Sequence, residues 1–235
     1  MIDLSYFWRC LRAAVSYIPQ NLLMAGSTLV ICILLGTVIA LVRTFRVPVL
    51  KPVFDVLTAL GKAFPANLVL LIVYLVVTNS FSTIVTVLHL NITIQDLNMI
   101  VVAVAALVLC SLSGISEVIR GGLMAVDKGQ YEAGQAMGLT WMQTFLHIIV
   151  PQVIRAVVPP LTNSILALIK STALVSVIGV VDIMNGALIA ANQSYSYLEA
   201  YLAAALVFWV LGLILERLSK AAERHFGKSI RTLAA

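Results

Sequence analysis

From Asn21 to Val42 the chain runs for 22 residues without a charged side chain. At 1.5 Å per residue a helix of that length crosses roughly 30 Å, the hydrocarbon thickness of a bilayer. Inside lipid the backbone must satisfy its own hydrogen bonds, so such a segment is predicted to be helical. Similar apolar stretches recur at about Ala66–Thr78, Leu97–Gly114, Leu161–Ile183 and Leu198–Leu215, which predicts five spans. Charged residues make up 11% of the chain and hydrophobic ones 61%, with a mean hydropathy of +1.05. A soluble domain carries about 25% charged residues, so composition places the chain in the membrane class.

The basic residues orient the spans. Arg43, Arg46, Lys51 and Lys62 follow the first, Arg120 and Lys128 follow the third, and Arg217, Lys220, Arg224, Lys228 and Arg231 follow the fifth. The connections Ser80–Asn98 and Met184–Tyr197 contain no Lys or Arg. By the positive-inside rule the three basic segments are cytoplasmic, the N-terminus is external and the C-terminus is internal. The net charge of +5 is thus spread over span ends, which argues against nucleic acid as a partner. The first run is too long for a signal-peptide core and ends at Arg43 instead of a cleavage site. Cys10, Cys32 and Cys110 lack paired spacing and are expected to be small buried hydrophobes with no metal.

Before the first span, Leu4, Phe7, Trp8, Leu11, Val15 and Ile18 fall at helical spacing, opposite Arg9, Arg12 and Ser16. Residues 1–19 are therefore expected to form an interfacial helix or an ordinary packed pre-helix.

The polar stretch 116–151 is longer than a connection needs to be. Tyr131, Ala133, Ala136 and Met137 form an apolar stripe, interrupted by Gly134 and closed by Gly138, a residue suited to the positive φ of a helix stop. Trp141, Phe145, Ile148 and Ile149 restart an amphipathic pattern that ends at Pro151. In this segment Glu132-Ala133-Gly134, three residues, Gly138, nine residues, Ile148, one residue and Val150-Pro151 resembles the EAA loop of binding-protein-dependent ABC importer permeases. The family pattern has Ala at position 134 and Leu at 150. Glu117-Val118-Ile119-Arg120-Gly121-Gly122, Pro159-Pro160-Leu161-Thr162-Asn163 and Lys170-Ser171-Thr172-Ala173-Leu174-Val175 are similar to the polar amino acid branch. That branch usually shows Lys-Asp-Thr-Ser-Leu at the last of these.

The resemblance implies an all-α membrane protein of about five transmembrane helices with a cytoplasmic coupling-helix loop. The whole of 1–235 would be one permease domain, with 216–235 as a cytoplasmic tail, in a bacterial cytoplasmic membrane. Its implied partners are a nucleotide-binding ATPase subunit, an extracytoplasmic solute-binding protein and a second permease subunit, the same or a sister chain. ATP and Mg would be bound by the ATPase, and this chain would carry no cofactor. Tyr131, Glu132, Ala133, Gly134, Met137, Gly138 and Pro151 are the implied ATPase-coupling residues.

Within the apolar stretches, Lys170 is too costly to face lipid, so it is expected to face a translocation path or a structural partner. Thr172, Asn163 and Ser164 are further path or gate candidates. Pro159 and Pro160 are expected to end or kink the helix and free backbone groups. Glu117 and Arg120, three apart, are expected to form an ion pair, and Asp182 to be a solvated helix end.

No enzyme class fits. His89, His147 and His225 are scattered, and Gly227-Lys228-Ser229 has Ala222 where a phosphate-binding loop needs glycine. An ion-gradient-driven secondary transporter is the alternative, but five spans without an internal repeat disfavour it.

Overall fold

A computed structural model describes residues 3–87, 89, 93 and 96–231. It contains ten α-helices among the described residues: α1 Leu4–Ser16, α2 Ile18–Thr44, α3 Leu50–Ala63, α4 Ala66–Val87, α5 Met99–Ala125, α6 Gly129–Ala136, α7 Trp141–Thr144, α8 Val150–Ser171, α9 Ile183–Ala191 and α10 Tyr197–Arg231. A π-helical turn, Phe145–Ile149, joins α7 to α8, and a 3-10 segment, Thr172–Ile178, extends α8. Among the described residues, four helical stretches are long and apolar enough to cross a membrane: Leu4–Thr44, Met99–Ala125, Trp141–Ile178 and Tyr197–Ala221. A fifth crossing arises if α3 and α4, bent by 106° at the intervening Pro65, count as one broken span.

Leu22, Leu23, Val30, Leu34 and Val38 point outward from α2, and Leu68, Ile72, Leu75 and Val76 from α4. Large exposed apolar side chains are what a lipid-facing surface requires. Between helices, where lipid tails supply no hydrophobic drive, close packing must do the work, and small residues sit at the crossings. α5 packs on α2, α3, α4 and α8. Gly36 of α2 lets the two backbones meet: a Cβ there would lie 3.3 Å from the Ser116 nitrogen. Gly61 of α3 abuts Ser113, and Gly122 of α5 abuts Val157 of α8.

Several expected boundaries move. α1 lies against α9 and α10, burying Cys10 and Ala14, while Leu4, Trp8 and Val15 are exposed. The buried face thus uses the small residues, and part of the predicted apolar stripe faces outward. α8 runs unbroken through Pro159 and Pro160, so the expected helix end there does not occur. The fourth span ends at Ile178, and Gly179 (φ +81°) turns the chain into α9. Asp182 is completely buried, not solvated. Cys10 and Cys32 are buried as expected, and Cys110 is partly so. Part of the Ser80–Asn98 connection lies outside the described residues, as does the end of the 216–235 tail, whose earlier part continues α10 to Arg231.

Candidate functional site

The segment between α5 and α8 is built by three local devices. Asp127 Oδ1 accepts from the Gly129 backbone N–H at 2.6 Å, which turns the chain out of α5. At the far end of α6, Gly138 sits at φ +80°. There the Gly138 N–H donates to the Gln135 carbonyl at 2.9 Å and the Leu139 N–H to the Gly134 carbonyl at 3.0 Å. These are the two bonds of a Schellman stop, which a residue with a Cβ closes only under strain. Thr140 and Gln143 then form a reciprocal capping box that starts α7, with Thr140 N–H donating to Gln143 Oε1 at 2.8 Å. The Thr-x-x-Gln pattern of this box is a recognisable helix-start signal that the apolar-stripe argument passes over.

α6 divides into two faces. Glu132, Ala133, Ala136 and Met137 are exposed, Met137 at 81%. Tyr131 and Gly134 turn inward. Tyr131 packs against the cluster of Ile119, Leu123, Ile149 and Val153, and this burial pushes its phenol pKa upward. Gly134 is buried on Thr144. The predicted stripe is therefore corrected: Tyr131 and Gly134 fix α6 to its own chain, and the outward surface carries Glu132, Ala133, Ala136 and Met137. Pro151 does not end the second amphipathic pattern either. Helix continues through it, preceded by the π turn in which the Val150 N–H reaches the Phe145 carbonyl. Pro151 has no N–H to donate, and the wider π turn stands immediately before it.

Two further contacts tie this segment to the bundle. Trp141 and Phe145 stack with centroids 5.2 Å apart, and Phe45, just past α2, meets both edge-on at 5.5 and 6.0 Å. Glu117 accepts from three cations on three helices: Arg43 Nη1 at 2.8 Å, Arg120 Nη2 at 2.8 Å and Lys62 Nζ at 3.4 Å. Arg43 also binds Asp55 at 2.7 Å, and Lys51 completes the network on Asp55 at 2.6 Å. The expected Glu117–Arg120 pair is present as one edge of this cluster.

The outward face of α8 is the second element. Asn163 and Lys170, seven residues apart, fall within about 20° of each other at 100° per residue, and both are exposed. Lys170 makes no ion pair among the described residues. Pro159 and Pro160 lack N–H groups, so the carbonyls of Arg155 and Ala156 lose their helical donors beside the same face. Ser164 Oγ donates to the Pro160 carbonyl at 3.3 Å. Thr172 departs from expectation: it is fully buried, donates to the Ile169 carbonyl at 2.6 Å and accepts from Asn21 Nδ2 at 2.7 Å. Asn21 in turn accepts from the Ile183 N–H at 3.0 Å, so Asn21 ties the start of α2 to Thr172 and to the start of α9. Next to this link, Asp182 Oδ1 caps α9 through the Asn185 N–H at 2.8 Å. Its Oδ2 has no hydrogen-bond partner among the described residues, and burial raises the carboxyl pKa to about 6. No three His, Cys, Asp or Glu side chains converge as metal ligands among the described residues.

Four to five helical stretches long and apolar enough to cross a bilayer, one carrying exposed polar residues, joined by a short helix with an exposed face, fit a multi-pass membrane protein. Residues 32–228 match the family described as the binding-protein-dependent transport system inner membrane component, and the chain belongs to that family. It is similar to the probable amino-acid permease protein YxeN of Bacillus subtilis, 28% identical over 231 residues covering 98% of this chain and 99% of that one. It is likewise similar to the probable amino-acid ABC transporter permease protein PatM of Vibrio harveyi, 29% identical over 227 residues and 97% of each chain. A crystal structure of an amino acid ABC transporter with histidines matches at a TM-score of 0.78 and 27% identity, over 96% of this chain and 99% of that one. The chain is thus a transmembrane permease subunit of an ABC transporter.

Proposed function

We propose that this subunit forms half of the translocation path for a polar amino acid or a related small solute. The solute would be delivered by an extracytoplasmic binding protein, and a separate ATPase, holding ATP and Mg, would drive transport. The observation that carries this reading is α6: a short helix fixed to its own chain by Gly138, Tyr131 and Gly134, with Glu132, small Ala133, Gln135, Ala136 and Met137 turned outward. An amphipathic helix of this kind suits a groove on a partner, with small residues permitting close approach and Met adapting to the partner's shape. The capping box and the Phe45–Trp141–Phe145 cluster would pass a displacement of α6 to α8 and α2. Along α8, Asn163, Ser164 and Lys170 would line the path against the same face of a second permease subunit. The amino acid class rests on the similarity to amino-acid permeases. The membrane is proposed to be the bacterial cytoplasmic membrane, with the N-terminus outside and α6 in the cytoplasm.

The test is reconstitution of the permease with its ATPase subunit and binding protein in proteoliposomes, with radiolabelled polar amino acids as cargo. ATP-dependent, ionophore-resistant uptake is the expected result. Met137→Glu should abolish ATPase association and uptake while the chain still inserts. Uptake that collapses with an ionophore, or that survives Met137→Glu with the ATPase still bound, would overturn the coupling assignment.

A further inference from the structure

A cavity of about 520 Å³ lies between α2, α3, α4 and α5 and belongs neither to the coupling segment nor to the α8 face. Its walls are apolar: Leu35, Val38, Leu57, Leu60, Phe64 and Leu109. Each of these is roughly half exposed, so the cavity is a groove open to the side of the bundle. The outer face of α3 continues it, with Val53 and Val56 exposed as well. At 100° per residue, the charged residues of α3 (Lys51, Asp55 and Lys62) occupy a separate strip about 40° wide. A helix that is apolar over most of its circumference, with one narrow charged strip, is suited to lie in the interfacial plane of a membrane.

The groove ends at a charge imbalance. Ile39 and Ser113 are among its lining residues, and one helical turn further along α2 and α5 stand Arg43 and Glu117. Lys51 balances Asp55, which leaves Arg43, Lys62 and Arg120 around the single carboxylate of Glu117. The side chain of Arg43 is 11% exposed and enclosed by its two carboxylates. The surplus positive charge therefore appears outside on Lys62, 50% exposed, and Arg120, 32% exposed. Both reach the same carboxyl group of Glu117, so their cationic heads stand close together. On α5, Arg120 falls within about 20° of both Leu109 and Ser113, in line with the groove.

An apolar slot leading to two clustered cations complements one molecule available at a membrane: a phospholipid with a net negative headgroup. We propose that the groove holds an acyl chain of an anionic phospholipid whose phosphate is bound by Lys62 and Arg120. The lipid neutralises the excess charge around Glu117 and fills the space beneath α3, so it stabilises the α2–α3–α5 junction to which Phe45 and the coupling segment are attached. The leaflet that supplies it follows from the proposed orientation; the retention itself does not depend on that orientation.

The test uses the intact permease–ATPase complex in mild detergent, titrated with phosphatidylglycerol or phosphatidylcholine of identical chains and read by native mass spectrometry. Phosphatidylglycerol should be retained at least tenfold better. A basic side chain near the membrane surface contributes about a fivefold preference, so Lys62→Gln with Arg120→Gln should reduce the preference to near parity. Lys62→Arg should preserve it. Leu57→Trp, which fills the groove and leaves every charge in place, should weaken phosphatidylglycerol retention without altering assembly. Equal retention of the two lipids by the native complex overturns the proposal, as does an unchanged preference in the double variant. So does efficient disulfide crosslinking of Leu57→Cys to a second copy in native membranes, because the groove would then be covered by protein.

Discussion

Gly134 of α6 and Thr144 of α7 compete for one volume: a Cβ on Gly134 would lie 2.5 Å from both Cγ2 and Oγ1 of Thr144. Real Cβ contacts do not come that close, and a β-branched side chain has little rotamer freedom with which to retreat. Gly134→Ala should therefore destabilise the purified permease by about 1–3 kcal/mol, the usual cost of overpacking. It should also lower coupled ATP hydrolysis, because α6 must tilt to make room. Thr144→Ala alone leaves a void, but the double variant restores the total volume. A double-mutant cycle by thermal unfolding should show a coupling of about 1 kcal/mol or more between the two sites. Additivity would mean that α6 and α7 do not meet as described.

The Glu117 cluster yields an ordering. Glu117 is 24% exposed and serves three cations, and Arg43 is 11% exposed and serves two carboxylates. Removing either leaves shielded charge uncompensated, which costs several kcal/mol when fully buried and about 1–3 kcal/mol here. Arg120 is 32% exposed and Lys62 50%, and each can be rehydrated. Thermal unfolding in a fixed detergent should rank Arg43→Gln and Glu117→Gln as clearly destabilising, with Arg120→Gln and Lys62→Gln each within about 1 kcal/mol of the native chain. Equal losses for all four would argue against a shared hub.

The cluster also illustrates what is legible in the chain. Glu117 and Arg120 are three residues apart, so helical geometry alone predicts their pairing. Arg43, Asp55 and Lys62 join from 55 to 74 residues upstream, and only the α2–α3–α5 packing brings them in. Long apolar runs marked α2, α5 and α10 well, because lipid demands helix wherever the run is long enough. In α1 the predicted stripe is shared: Phe7, Leu11 and Ile18 pack on the cluster that buries Cys10 and Ala14, while Leu4, Trp8 and Val15 face outward, a division that spacing alone does not give. The same ambiguity affected α6. Its pattern showed an amphipathic helix, but Gly134 and Tyr131 turned out to face their own chain, which depends on where Thr144 and Ile149 stand. Pro159 and Pro160 stay within helix although both are exposed, which a local propensity does not foretell, and the burial of Asp182 at the start of α9 accompanies the long-range packing of α9 on α1 and α10.

Asp182 should make stability depend on pH. Its carboxyl pKa is raised to about 6 by burial, against 3.8 for the free group. The native state therefore binds the proton more tightly than the unfolded chain. The associated stability is fully present below about pH 4 and is lost as pH rises through 6. Between pH 5 and 7.5 the loss is about 1 kcal/mol. Asp182→Asn keeps an oxygen for the Asn185 N–H and cannot ionise, so the variant should lose less stability over that interval than the native chain. The check is thermal unfolding at the two pH values in one buffer series. Parallel behaviour of variant and native chain would show that Asp182 is ionised throughout.

Lys170 and Thr172 lie two residues apart, and the structure gives them opposite characters, so they separate transport from stability. Thr172 is fully buried and linked to Asn21, which holds the Ile183 N–H. Thr172→Val keeps the shape but leaves Asn21 Nδ2 unpaired in the interior, which should cost about 1–3 kcal/mol of stability. Uptake per correctly folded molecule should change little. Lys170 is exposed on the face shared with Asn163 and has no ion-pair partner among the described residues, so Lys170→Met removes no ion pair there. Its unfolding temperature should stay close to the native value. If its ammonium group faces the path, uptake should fall at least tenfold, equivalent to about 1.4 kcal/mol of lost interaction, and Lys170→Arg should recover part of it. The measurement pairs initial uptake rates in proteoliposomes with thermal unfolding of the same preparations. A stable Lys170→Met permease with native uptake would remove that residue from the path. A Lys170→Met variant that fails by unfolding would mean that the lysine is held by a partner subunit as part of the assembly.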